Sequence, residues 1–345
     1  MLKQLLEKVV AGKNLAEEEA GEAMEIIMTG MATPAQIAAL LTALRFKGET
    51  EDEITGFARV MRSKATPVKY SHPMMIDTCG TGGDGCSTFN ISTTVALVLA
   101  GAGAKVAKHG NRSVSSSCGS ADVLEALGVN LDLQPENLVT CLEKVGFAFL
   151  YAPALHTAMK HAAGPRRELG FRTIFNILGP LTNPAGAKLQ VLGVYRPELT
   201  RLLAGVLARL GTEKAFVIHG HGGLDEISPS GPALICEVRE GQVKEYYLDP
   251  GELGIPKAPV SSLVGGSPEE NAIITEDILN GKKGPPRDTV LVNAAAALVI
   301  CGKAGNFAEG INVAAEIIDS GLAMSKLQEL VTFSRTHARK QVSGL

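Results

Sequence analysis

The 345 residues are 45% hydrophobic and 20% charged with 38 glycines, which excludes a disordered chain or a collagen-like repeat and is long enough for two domains. A formal charge of −3 supplies no global field for nucleic acid or anionic lipid, so any anionic ligand must be held by a local set of donors. The longest apolar runs, 95–102 and 290–300, fall short of the roughly 20 residues that cross a bilayer, and scattered cysteines without a CxxC pair fit reduced thiols and a cytoplasmic address.

Residues 1–10 carry Lys3, Glu7 and Lys8 within an apolar pattern and read as a helix rather than a secretory signal. Three further stripes have helical spacing: Ala20, Ala23, Met24, Ile27 and Met28; then Ile37, Leu40, Leu41 and Leu44; then Ile54, Phe57, Ala58 and Met61. Thr33 with Pro34 and Gln36, and Thr50 with Glu53, are start signals of the capping-box type. A small helical domain over 1–70 is expected.

Beyond Tyr70 the pattern changes to short β-prone runs, each followed by a glycine-rich loop and a helix-sized stretch. Strands are expected at 74–76, 105–107, 148–151, 191–194 and 215–218, which argues for a parallel sheet with right-handed crossovers. Residues 233–238 and 243–248, joined through Glu240 and Gly241, read as an appended hairpin. The fold class is therefore α/β: a small helical domain plus a large α/β domain with a central, mainly parallel sheet.

Three loops follow strands and carry chemistry. In Asp77-Thr-Cys-Gly-Thr-Gly-Gly-Asp-Gly85 the glycines let backbone N–H groups approach a phosphate, and Asn90, Ser92 and Thr93 open the next helix at its positive end. Lys108-His-Gly-Asn-Arg-Ser113 adds two cations and an amide, and runs on through Ser116 to Ser120, read as a helix cap. In His219-Gly-His-Gly-Gly-Leu-Asp-Glu-Ile-Ser228 the adjacent Asp225 and Glu226 suit a hard cation, so magnesium is preferred to a zinc ion on the lone HxH pair. Ligands of open parallel sheets collect beyond the carboxyl ends of strands, where all three loops lie. Of Arg166 and Arg167, one guanidinium can face a pocket that takes a carboxylate; the motif alone does not choose.

Taken together, Gly80-Thr-Gly-Gly-Asp84, Thr88-Phe-Asn-Ile-Ser-Thr93, Lys108-His-Gly-Asn-Arg112, Gly119-Ser-Ala-Asp-Val-Leu-Glu-Ala-Leu-Gly128, Thr173-Ile-Phe-Asn-Ile-Leu-Gly-Pro-Leu-Thr-Asn-Pro184 and Leu224-Asp-Glu-Ile-Ser228 make the chain resemble the anthranilate phosphoribosyltransferase family over nearly its whole length. The resemblance implies a homodimer with its active site in the cleft between a helical domain, 1–70 plus a returning segment near 164–184, and an α/β domain, 71–163 and 185–345. It implies phosphoribosyl pyrophosphate contacts at Gly80, Gly83, Asp84, Thr88, Asn90, Ile91, Ser92, Thr93, Lys108, His109, Gly110, Asn111, Arg112, Ser113, Ser116 and Ser120. Two magnesium ions would be held by Ser92, Asp225 and Glu226. Anthranilate would meet Gly80, Asn111 and Arg166, with His109, His156 and Pro180 lining the entrance. Ser117 and Cys118 stand where many relatives have lysine and serine, so the grip on pyrophosphate differs there.

The reaction implied is attack of the anthranilate amine on ribose C1 with loss of pyrophosphate, a step of tryptophan biosynthesis, with Lys108, Asp225 and Glu226 stabilising the departing charge. Association with an anthranilate synthase subunit is compatible with the sequence. A pyrimidine nucleoside phosphorylase is the alternative enzyme, and Asp225-Glu226 argues against it. A non-catalytic nucleic-acid-binding relative would need Arg59, Arg62, Lys64 and Lys69 as a basic stripe.

Overall fold

The computed structural model describes residues 2–113 and 117–338. Four helices come first: α1 (Leu2–Val10), α2 (Glu17–Met28), α3 (Pro34–Lys47) and α4 (Glu51–Lys64), and every apolar residue of the three expected stripes is buried. The two expected caps are in place. Gln36 N–H donates to Thr33 Oγ1 at 3.2 Å while Thr33 N–H donates to Gln36 Oε1 at 3.0 Å, and Thr50 with Glu53 repeats the exchange.

Glu53 does more than cap. Its carboxylate also accepts from Leu15 N–H at 2.9 Å and from Lys47 Nζ at 2.9 Å, tying the loops before α2 and α4 together in a pair that is 0% and 8% exposed. Removing one partner strands the other without solvent. Glu53→Ala is expected to cost about 3–5 kcal/mol in denaturant unfolding, and a loss below about 1 kcal/mol would show that water replaces the carboxylate.

The α/β part runs β1 (Met75–Gly80), α5 (Ile91–Gly101), β2 (Lys105–Gly110), α6 (Ser120–Ala126), α7 (Pro135–Lys144), β3 (Phe147–Tyr151), α8 (Ala152–Leu155), α9 (Lys160–Leu169), α10 (Phe175–Leu178), β4 (Leu189–Gly193), α11 (Glu198–Arg209), β5 (Lys214–His219), β6 (Ala233–Arg239) and β7 (Gln242–Leu248). Helices α12 (Pro268–Leu279), α13 (Pro285–Ile300), α14 (Phe307–Asp319) and α15 (Leu322–Thr336) complete it. The seven strands form one sheet ordered β3-β2-β1-β4-β5-β6-β7, parallel from β3 through β5 and antiparallel beyond. Glu240 and Gly241 turn the expected hairpin with both φ values positive, 52° and 76°.

Both faces of the sheet are covered, and β5 shows how. Ala215 and Val217 point into an apolar cluster shared with α2–α4 and α11, while Phe216 and Ile218 point into the cluster built on α5 and α13. Ile174, Phe175, Ile177, Leu178 and Leu181 belong to the first cluster, so the stretch around α10 packs with the N-terminal helices. The basic residues of α4 are spent internally. Arg59 pairs with Glu17, Lys64 with Glu25, and Arg62 donates to the carbonyls of Leu181 and Leu210, so three of the four residues of the expected basic stripe have partners within the fold, and only Lys69 stands exposed beyond α4. Among the described residues no helix is long and apolar enough to cross a membrane.

Two strands are longer than the expected 74–76 and 105–107. β1 continues through Asp77 to Gly80 and β2 through Lys108 to Gly110, because the ladders to β4 and β3 run on and the polar side chains find partners in Asn183, the Thr78 carbonyl and Ser92. Asp77 is fully buried, accepting from Asn183 Nδ2 at 2.8 Å and His109 N–H at 3.2 Å, and burial pushes its carboxyl up to about 6.

Candidate active site

The order of strands reverses between β1 and β4: β2 and β3 lie to one side of β1, β4 and β5 to the other. A crevice opens at such a switch point beyond the carboxyl ends of the strands. Here β1 and β4 end on a registered pair of glycines, Gly80 and Gly193. The loop after β5 crosses directly over them. A Cβ on Gly80 would run into the Asp225 carboxylate, and one on Gly193 into the Asp225 main-chain carbonyl. The absence of both side chains lets an acid from the third loop reach the first, where Asp225 Oδ2 accepts from Gly82 N–H at 2.9 Å.

These loops enclose a cavity of about 440 Å³ lined by Gly80, Gly83, Asp84, Thr88, Asn90, Ile91, Ser92, Thr93, Lys108, His109, Gly110, Asn111, Arg112, Ser113, Ser120, Asp225 and Glu226. Ser116 lies outside the described residues. Arg112 is held by bonds to Asp122 and Glu125. Ser120 opens α6 rather than capping it; Gly119 holds the cap position, and Asp122 takes over by accepting from Gly119 N–H at 2.8 Å. Cys118 is buried in the wall, its Sγ 3.2 Å from Asn90 Oδ1.

The electrostatics are those of a site built for a charged ligand. Lys108 is 1% exposed, its Nζ donating to the Thr78 carbonyl and to Ser92 Oγ at 3.2 Å, and burial lowers its pKa. Carboxylate oxygens of Asp84, Asp225 and Glu226 lie within 4.8 Å of one another. Burial first, and the like charge of Asp225 second, raise the carboxyls of Asp84 and, much more, Glu226. Hard oxygen donors crowded at this spacing fit a magnesium ion, and Asp84 joins the expected Asp225 and Glu226. The two histidines of the HxH pair do not join: His219 Nδ1 bonds the Val194 carbonyl at 2.8 Å and His221 Nδ1 bonds Ser230 Oγ at 2.9 Å.

A second cavity, of about 510 Å³ and more apolar, adjoins the first and shares Gly80, His109, Asn111 and Asn176 with it. Arg166 reaches this cavity, its guanidinium 4.9 Å from the Phe175 ring centre, whereas Arg167 is exposed. His109, His156 and Pro180 line it. His109 Nδ1 donates to the Gly179 carbonyl at 3.1 Å, which leaves Nε2 as a lone-pair acceptor, and burial holds the imidazole neutral with its pKa near 3.

Eight buried side-chain atoms lack a hydrogen-bond partner among the described residues, and five of them belong to these two cavities: Asp84 Oδ2, Thr93 Oγ1, His109 Nε2, His156 Nε2 and Glu226 Oε2. Unsatisfied polar atoms are rare in folded proteins, and their concentration here marks groups reserved for a ligand. Reading the sequence missed Arg172 and Asn176, which line the first cavity, and Gly193 beneath it. Asn176 stands in a recognised string without a role, Arg172 directly precedes that string, and Gly193 carries no local signal.

Two family descriptions match: "Glycosyl transferase family, helical bundle domain" over residues 3–65, and "Glycosyl transferase family, a/b domain" over 72–324. The chain is 64% identical over 334 residues, 97% of each chain, to the anthranilate phosphoribosyltransferase of Pelotomaculum thermopropionicum. It is 58% identical over the full length of both chains to that of Desulforamulus reducens. Among solved structures it resembles the anthranilate phosphoribosyltransferase of Thermus thermophilus, with a TM-score of 0.91, 45% identity, and 96% of this chain and 99% of that one covered. It also resembles the Saccharomyces cerevisiae enzyme in complex with PRPP and Mg, with a TM-score of 0.89, 30% identity, and 97% and 98% covered. Agreement over the whole length, in sequence and in fold, establishes that the chain belongs to the anthranilate phosphoribosyltransferase family.

Proposed function

We propose that the polar cavity takes 5-phosphoribosyl 1-pyrophosphate with magnesium, that the adjoining cavity takes anthranilate, and that the phosphoribosyl group passes between them to the anthranilate amine, as tryptophan biosynthesis requires. The observation that carries this reading is the shared wall: Gly80 and Asn111 line both cavities, so a ribose C1 in one and an amine in the other meet there. Pyrophosphate faces the amides of the first loop and Lys108; Arg166 takes the acceptor carboxylate and Asn111 orients its amine.

Two magnesium ions per site would be held by Ser92, Asp225 and Glu226, with Asp84 beside them. When bound, magnesium neutralises charge building on the departing pyrophosphate. The chain's own part is to place Lys108 and the loop amides at the same oxygens. The amine is uncharged at neutral pH, so its proton can leave to water once the N–C1 bond has formed, and no general base is assigned.

The division into a helical domain, 1–70 with a return at 164–184, and an α/β domain, 71–163 and 185–345, is supported by the apolar cluster that joins α2–α4 to the α10 stretch. A homodimer is supported by Phe46, 94% exposed at the end of α3, and Val10, 69% exposed on the neighbouring α1. A cytoplasmic address is supported by six cysteines that all stand as free thiols.

Mixing the protein with anthranilate, phosphoribosyl pyrophosphate and magnesium should extinguish anthranilate fluorescence, and a chelator should stop it; persistence of fluorescence with metal present would refute the reading. In the same assay Arg166→Ala should raise the KM for anthranilate by about 10- to 100-fold, the value of a charge-assisted bond pair. The KM for the donor should stay within about twofold. Equal rises in both would remove Arg166 from the acceptor site.

A further inference from the structure

Arg172 lies between α9 and α10, in the stretch that packs with the N-terminal helices, yet its guanidinium reaches into the pyrophosphate cavity. There it donates to the Gly83 carbonyl and fills the space a Cβ on Gly83 would need. Its flat face lies over the Tyr195 ring at 4.3 Å, and Arg196 lies 5.2 Å from the same ring. Tyr195 holds the loop a second time, its N–H donating to Thr81 Oγ1 at 3.3 Å.

The Gly82–Gly83 unit is therefore gripped at both ends. Its N–H at Gly82 is taken by Asp225 and its carbonyl at Gly83 by Arg172. Both glycines sit at positive φ, 62° and 74°, so this unit has few other conformations available once its neighbours are fixed. Asp225 is one of the three clustered acids, and a cation entering that cluster competes with Gly82 N–H for its carboxylate. Occupying the pyrophosphate cavity thus changes one of the two grips. The other grip leads directly to the acceptor side. Three residues after Arg172, Phe175 carries Arg166 on its ring, and the Thr173 N–H bond to Asn176 Oδ1 at 3.0 Å stiffens the turn between them. Asn176 lines both cavities.

We propose that Arg172 is a positioning residue that makes anthranilate bind more tightly when the pyrophosphate cavity is filled, by carrying the state of the Gly82–Gly83 unit to Phe175 and Arg166. This rests on the donor and acceptor assignment above. Arginine suits the task because a planar group can stack on Tyr195 and aim a donor at Gly83 together, which lysine cannot. Coupling of this kind is reciprocal, so anthranilate must tighten magnesium pyrophosphate by the same factor.

The test is a fluorescence titration of anthranilate onto the full chain, with and without saturating magnesium pyrophosphate, a filler that cannot react. For the wild type the Kd should fall about fivefold or more when the filler is present. For Arg172→Met that ratio should drop to within about twofold of one. Its Kd without filler should stay near the wild-type value, an outcome that general loosening of the fold would not give. Tyr195→Leu, at a residue that itself lines neither cavity, should lower the ratio in the same direction and decides the matter if the first variant fails to fold by circular dichroism. A wild-type ratio near one, or an Arg172→Met ratio equal to the wild type's, overturns the role of Arg172. Wild-type turnover in the fluorescence assay separates the two levels: turnover without coupling sinks this inference alone, and no turnover sinks the reading beneath it.

Discussion

Glu226→Gln is expected to lower kcat/KM by about 10³-fold while making the metal-free protein harder to melt at pH 8. The two effects share one cause. Glu226 stands in a cluster with Asp84 and Asp225, its Oε2 closed to solvent and without a partner, so burial and like charge raise its pKa well above the ordinary value. An unfolded chain ionises this carboxyl near its ordinary value of 4.5, whereas the folded chain resists until a higher pH. Between those two pKa values the unfolded state has already lost the proton and the folded state has not, so stability falls as pH rises and stays reduced above the folded pKa. Glutamine escapes that loss. With chelator present, the variant should match the wild type at pH 4.5 and exceed it in Tm by about 2 °C at pH 8. Saturating magnesium pyrophosphate should reverse the order, because only the wild type has a full set of acids to bind it. A variant that keeps wild-type turnover, or that melts lower than the wild type at pH 8 without metal, would show that Glu226 is not a cation ligand held under strain.

The places where the sequence misled are the places where the site lives. Helices α2 to α4 were legible because spacing and caps agreed with packing: Thr33–Gln36 and Thr50–Glu53 are local signals with local outcomes. β1 and β2 run past their expected ends because Asp77 and Lys108 have the character of loop residues, yet in the fold their charges are met by Asn183, the Thr78 carbonyl and Ser92 from elsewhere in the chain. Polar residues at the carboxyl ends of buried parallel strands break the apolar pattern because they serve the crevice rather than the core. Asp84 entered the acid cluster only through the folding of the third loop over the first, a juxtaposition of positions 84 and 225 that no spacing rule predicts. The contacts of Arg172 are invisible for the same reason, since its partners Gly83 and Tyr195 lie far from it along the chain.

Gly193→Ala should show how much depends on that crossing, and its consequences follow from backbone contacts alone. Gly193 has no special φ, so alanine meets no conformational strain there; the obstacle is the Asp225 main-chain carbonyl lying where the new methyl must go, with Asp225 Cβ also at 3.0 Å. Neither side can give way easily. β4 is bonded to β1 and β5 on its two sides, and Leu192 and Val194 are fully buried. The loop above is pinned by Asn293 on α13, which accepts from Ile227 N–H at 2.9 Å and donates to its carbonyl at 2.9 Å. Overpacking between such fixed partners costs about 3 kcal/mol. A loop that lifts by about 1 Å to relieve it carries Asp225 and Glu226 out of register with the pyrophosphate, which lowers kcat/KM by about 100-fold. Gly21→Ala is the matched control, because a Cβ there, inside helix α2, meets only ordinary contacts, Val60 Cγ2 at 3.7 Å and the Gly56 carbonyl at 3.9 Å. It should stabilise the protein by up to about 1 kcal/mol. If denaturant unfolding and turnover put Gly193→Ala beside Gly21→Ala, then the glycine pair at the strand ends is not what allows the acids to reach the site.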